Sequence, residues 1–190
     1  TKDILVRRAF GNVYESLLEG DAAQKERWLL PCVRGERTCS IAITEPGAGS
    51  DAAGIRTSAR KAGEGYVLNG GKHFISDGLH SDFFVVSAVT DAAARPPHVS
   101  LFLVDNTTPG VELRKLDMLG RRCTGTYEIF FNDARVAADR LIGGKGRVAR
   151  VDESFGSVRR TSGGRAWICG RNYRLVRVSR ARSVGLARGS

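Results

Sequence analysis

Residues Thr38-Cys-Ser-Ile-Ala-Ile-Thr-Glu-Pro-Gly-Ala-Gly-Ser-Asp51 decide between two folds. A short strand-like run, Thr38–Thr44, leads into a Gly-x-Gly loop, which is how a dinucleotide-binding α/β fold begins. The third glycine of that fingerprint is missing, since Gly47 and Gly49 are succeeded only by Gly54. The next run, Ile55–Arg60, reads as a second strand, whereas the fingerprint needs a helix N-terminus to receive a pyrophosphate. The doubly wound fold is therefore excluded. A flexible small-residue loop remains, with backbone N–H groups able to face an anion and hydroxyls at Thr44 and Ser50. By composition alone it reads as a Pro-Gly turn, with Ser50 and Asp51 as loop caps.

Working outward, short strand-like runs continue downstream. Gly65–Leu68 and His73–Ser76 flank Asn69-Gly70, a strong hairpin signal. Phe83-Phe-Val-Val-Ser-Ala-Val-Thr90 and Val99-Ser-Leu-Phe-Leu-Val104 are apolar throughout, and Val111–Leu116 and Tyr127–Phe131 complete the set. Short strands punctuated by Gly, Asn, Asp and Pro predict a mainly antiparallel β-barrel or sandwich over residues 38–146. Upstream, Ile4, Leu5, Ala9, Phe10, Val13, Leu17 and Leu18 recur at helical spacing. Gly20 ends that helix, Asp21 caps a second, and Pro31 closes it. The fold class is thus α+β: a mainly antiparallel β domain preceded by helices of a truncated helical domain, residues 1–37.

The net charge of +10 invites a nucleic-acid reading until it is located. Residues 1–146 hold 19 Lys+Arg against 18 Asp+Glu, whereas 147–190 hold 11 Arg, no Lys, and only Asp152 and Glu153 as acids. The front of the chain is electrostatically ordinary. The tail has no persistent period, so no core is expected there, and its arginines are not interleaved with stacking aromatics. A basic extension and an out-of-frame translation of a GC-rich gene are both compatible with it. No apolar run approaches the ~20 residues that span a bilayer. The four cysteines show no metal spacing, and His73, His80 and His98 lack a ligand partner, so no metal is expected.

Ile43-Thr-Glu-Pro-Gly-Ala-Gly-Ser-Asp51 resembles the signature of the acyl-CoA dehydrogenase family. In order with it stand Leu68-Asn-Gly-Gly-Lys-His-Phe-Ile-Ser-Asp-Gly78, Leu119-Gly-Arg-Arg-Cys-Thr-Gly-Thr-Tyr127 and Val136-Ala-Ala-Asp-Arg-Leu-Ile-Gly143. Gln24–Pro31 and Arg34-Gly-Glu36 are similar to the segment that leads into the signature. The resemblance runs from about Ile4 to Gly146. It implies a helical domain, a middle β-barrel and a C-terminal bundle, of which this chain holds the end of the first and the whole of the second. It also implies FAD, an acyl-CoA substrate, α,β-dehydrogenation in fatty-acid or branched-chain catabolism, an electron-transfer flavoprotein or other acceptor, and a homo-oligomer. The compartment implied is the cytoplasm, or the mitochondrial matrix in a eukaryote.

Carried over residue by residue, Ile43 and Thr44 would face the pyrimidine end of the flavin. Gly49 and Ser50 would lie near its phosphates, with Ser50 also near the acyl-CoA arm. Phe74, Ile75 and Ser76 would supply an aromatic over the ring face and a hydroxyl near N5. Asp77 stands where the family commonly has Asn. The family's base is a Glu of the bundle that no residue here matches, and Glu45 belongs to the flavin loop, so no catalytic residue is assigned. With the bundle's contacts missing, weak or no flavin retention and no dehydrogenation by the chain alone are expected. The alternative is a non-catalytic barrel with a basic tail.

Overall fold

The computed structural model describes residues 14–49, 54–93, 97–120, 122–143, 157–160 and 166–169. The first helix expected from the sequence, apart from a 3₁₀ turn at Glu15–Glu19, lies outside them. Ala22–Gln24, Lys25–Leu29 and Leu30–Val33 run on as one helix, α1, whose middle turn has π geometry. Asp21 and Gln24 form a reciprocal capping box at its start. Pro31 does not close the helix as expected, because α1 continues to Val33. The wider turn just before it relieves the crowding and missing donor that a proline imposes on an α-helix interior. The Gln24 side chain then ties α1 to the end of the barrel, donating to the carbonyls of Asp139 and Leu141 at 2.7 Å each.

Seven strands form one curled sheet: β1 (Cys39–Ala42), β2 (Ser58–Ala62), β3 (Gly65–Ser76), β4 (Phe83–Asp91), β5 (His98–Asp105), β6 (Val111–Leu116) and β7 (Thr126–Ala137). β5, β4, β2, β3, β7 and β6 lie side by side, and β1 shares β4 with β2. Most pairings are antiparallel, as expected, but the sheet is mixed. β1 pairs parallel with Phe83–Val86 of β4, and β2 meets β4 in the same direction at Ser58–Val89. The chain leaves the sheet after Ala42 and rejoins beside β4 at Thr57, whose carbonyl accepts from the Val89 N–H at 2.7 Å. The loop of residues 43–57 therefore opens between two strands that travel the same way. Turn residues in a sequence reveal the hairpins but not such distant parallel pairings.

Asn69-Gly70 is not a hairpin turn either. It lies within the 12-residue β3, at a register shift between Leu68 and Gly70. The turn joining β2 to β3 is Gly63-Glu64, with Gly63 at φ +59°. Gly70 takes φ +139°, and a Cβ there would stand 2.7 Å from the Thr57 Cα. Close approach of the returning loop, not a chain reversal, requires this glycine.

β4 and β5 are mostly apolar because both faces are buried over most of their length. Phe83, Val85, Leu101 and Leu103 pack toward Trp28, Leu29 and Cys32 of α1. Phe84, Val86, Phe102 and Val104 face inward to Leu68, Ile75, Ile129 and Phe131. Trp28 meets Phe83 edge-on at 4.7 Å and lies under the guanidinium groups of Arg37 and Arg140, which both bind Asp105. In the tail, Ser157–Arg160 (β8) and Ala166–Cys169 (β9) form an antiparallel pair in a sheet of their own.

Candidate functional site

The loop that leaves β1 is built from side chains reaching into the sheet. Glu45 and Ala48 exchange backbone hydrogen bonds at 3.0 and 3.1 Å, so Pro46 and Gly47 form a tight exposed turn. Glu45 itself is buried. Its Oε2 accepts from the Arg56 N–H at 2.7 Å and its Oε1 from the Thr57 N–H at 3.0 Å, which closes the loop on its own return. Ile43 and Thr44 are half-buried, and Gly49 is exposed with no atom within 4 Å of where a Cβ would stand. Ser50 and Asp51 lie outside the described residues.

Beneath the loop, Lys72 projects from β3 and is only 1% exposed. Its ammonium donates to the Glu45 carboxylate at 2.7 Å, to the Ile43 carbonyl at 3.1 Å and to the Ser87 hydroxyl of β4 at 3.1 Å. All three of its donors are thereby used. Burial pushes the Lys72 ammonium down to about 8, although Glu45 holds it up. Burial alone would raise Glu45, but hydrogen bonds from Lys72, Thr57 and Arg56 and the Lys72 charge keep its carboxyl below the usual range.

One residue along, the His73 N–H donates to the Thr44 carbonyl at 2.8 Å. Lys72 and His73 thus hold Ile43, Thr44 and Glu45 against β3. His73 Nδ1 lies 2.9 Å from Glu128 Oε1 on β7, and its ring meets Phe74 edge-on at 4.0 Å. A second register shift between Lys72 and Ile75 interrupts the strict alternation expected along Phe74–Ser76. Phe74 takes φ +58°, uncommon for a bulky side chain, and stays 55% exposed. Ile75 points into the barrel at 3% exposure, so only its backbone can face a ligand. Ser76 is half-buried, and its carbonyl accepts from the Ser40 hydroxyl at 2.6 Å. Asp77, also left-handed at φ +60°, is buried, and its charge adds to burial in raising the Tyr127 phenol.

The segments holding Thr44 and Phe74, thirty positions apart in sequence, are therefore tied by consecutive hydrogen bonds. A large aromatic kept open to solvent by a strained backbone, two residues before the half-buried Ser76, fits a flat heterocycle such as a flavin. Glu45 is no free base, because both its oxygens are engaged. Among the described residues no group of His, Cys, Asp and Glu is placed to hold a metal ion, and Cys32, Cys39 and Cys123 form no disulfide. The sequence alone marks neither Lys72 nor Ser87, and of His73 it says only that no metal-ligand partner is near. A lysine at an inward position of a strand was the signal that could have found the first.

The family model for the acyl-CoA dehydrogenase middle domain matches residues 40–134. The mouse mitochondrial long-chain specific acyl-CoA dehydrogenase is 43% identical over 127 residues, covering 65% of this chain and 30% of that protein. The crystal structure of an acyl-CoA dehydrogenase from Geobacillus kaustophilus matches with a TM-score of 0.67 at 44% identity, over 74% of this chain and 38% of that one. A glutaryl-CoA dehydrogenase from Mycobacterium smegmatis, solved in complex with FADH2, matches at 0.62 and 32% identity over 67% of this chain and 32% of its own. The chain spans about a third of the length of these relatives. Signature loop, curled sheet and matched segment all fall in one region of those proteins, and the chain belongs to the acyl-CoA dehydrogenase family, through its middle domain.

Proposed function

We propose that residues 38–143 form the flavin- and acyl-CoA-facing surface of an FAD-dependent acyl-CoA dehydrogenase. The observation that carries this reading is the exposed Phe74 ring on a strand bonded directly to the Thr44 loop. Ile43 and Thr44 offer backbone and hydroxyl groups to the edge of the ring system, Phe74 offers its face, and Ser76 lies along the same segment. Gly49 and Ser50 would meet the phosphates, and Ser50 the acyl-CoA arm. Bound there, FAD would supply the acceptor for the two hydrogens removed from the α and β carbons of the thioester.

The chain's own residues bind and orient, and Glu45, the carboxylate of the signature loop, is not free to take the α-proton. Glu45 is held anionic by Lys72 and two backbone N–H groups. General acid–base assistance contributes roughly 10²–10⁴-fold in rate, so the chain alone turns over no acyl-CoA. Electrons would pass to an electron-transfer flavoprotein or another acceptor, the whole protein would be a homo-oligomer, and its compartment the cytoplasm or, in a eukaryote, the mitochondrial matrix. No helix among the described residues is long and apolar enough to cross a membrane.

Two measurements test the reading. Titrating the chain with FAD and following flavin fluorescence should show weak, saturable quenching; a flat titration favours the non-catalytic barrel. Adding short-, medium- and long-chain acyl-CoA anaerobically should leave the flavin unbleached, and rapid bleaching would reveal a base within these residues.

A further inference from the structure

We infer that Lys72 is a positioning residue: its buried ammonium sets where the Ile43–Thr44 edge stands relative to the Phe74 face. The inference rests on the proposed flavin site, whereas the geometry behind it stands by itself. β1 and β2 lie along the same edge of β4 and leave a split where the 43–57 loop departs. Lys72 occupies that split from β3. It bonds Ser87 on β4, the Ile43 carbonyl at the exit of β1, and Glu45, which in turn holds Arg56 and Thr57 at the entrance to β2. One ammonium therefore joins two strands and both ends of the loop. The next two residues of β3 are His73, bonded to Thr44, and Phe74 itself.

A buried ion pair is weak evidence of a stabilising role, because apolar residues of similar volume often serve stability as well or better. An apolar side chain at residue 72 could fill the space, but it could not hold the Ile43 carbonyl and the Glu45 carboxylate together. The ammonium's particular contribution is the placement of the loop. It works through Ile43 and Thr44 and need not touch the ligand.

Hydrogen exchange and FAD titration on the whole chain test this with Lys72→Met, Glu45→Gln, the two combined, and Phe74→Ala. Lys72→Met should speed amide exchange at residues 43–49 and 54–57 by tenfold or more while β4 and β5 keep their protection. It should also weaken FAD binding by at least tenfold. Phe74→Ala should weaken FAD binding and leave loop exchange unchanged. Where Lys72→Met does not fold, the combined variant decides, since it buries no unpaired charge. Recovered cooperative unfolding with a loop still fast to exchange supports positioning. Loop protection that returns together with stability overturns it, as does a rise in exchange spread evenly over β4 and β5. A wild-type chain with no saturable FAD binding sinks the flavin reading alone, and the exchange data still judge Lys72.

Discussion

Replacing Phe74 by alanine separates ligand binding from folding. A phenylalanine side chain can bury about 200 Å², and Phe74 is 55% exposed, so about 110 Å² is open to a ligand. A flat ring laid on one face covers about half of that, ~55 Å², worth about 1.4 kcal/mol at ~25 cal/mol per Å². Favourable ring–ring geometry adds about 0.5–1.5 kcal/mol. The sum, about 2–3 kcal/mol, is a roughly 30- to 150-fold weakening of FAD binding. Folding should hardly notice, because the side chain is more exposed than buried. Urea denaturation should place Phe74→Ala within about 1 kcal/mol of wild type, as is usual for exposed positions. The assay is a fluorescence titration of FAD into each protein beside its denaturation curve. An equally stable variant that binds FAD within twofold of wild type would refute the stacking assignment, and so would one that unfolds.

The buried groups give further expected outcomes. Glu45 sits below the usual carboxylate range in the folded chain, so its contribution is present above the unfolded carboxylate range and is lost as pH falls through its folded value. Acid unfolding curves of Glu45→Gln should accordingly be flatter than wild type below about pH 4.5. Lys72 works in the opposite window: lowered to about 8 from 10.5 when folded, it binds its proton more tightly in the unfolded chain. Wild-type stability relative to Lys72→Met should therefore rise between those two values, which urea titrations across that range would measure. Gly70→Ala should cost about 2 kcal/mol or more, from the left-handed backbone and the 2.7 Å approach to Thr57; a loss under 1 kcal/mol in urea would contradict that packing. Gln24→Ala leaves two carbonyls at the Asp139–Leu141 turn without their donor and should lower stability by about 1–3 kcal/mol, with the melting temperature as readout.

The strands were legible in the sequence because period, apolar content and turn residues are local. Phe83–Thr90 and Val99–Val104 read as apolar runs of strand length, and the two core clusters on either face of β4 and β5 show why. The family was legible for a related reason: its motifs are short and ordered along the chain. Asp21 read as a cap because capping needs only a few neighbouring residues. The antiparallel majority was legible, but the two parallel pairings were not. β1 pairs with residues of β4 more than forty positions away and β2 with one about thirty away, and nothing local marks them as parallel. Asn69-Gly70 misled because a glycine demanded by the approach of Thr57 looks the same in sequence as one demanded by a turn. Within the site, the sequence supplied Thr44 and Phe74 as separate motifs. What joins them is the His73 N–H on Thr44, with the Lys72 ammonium holding Ile43 and Glu45 on either side, and only the tertiary structure could reveal that, because a lysine's role inside a protein depends on which oxygens the fold brings to its three hydrogens.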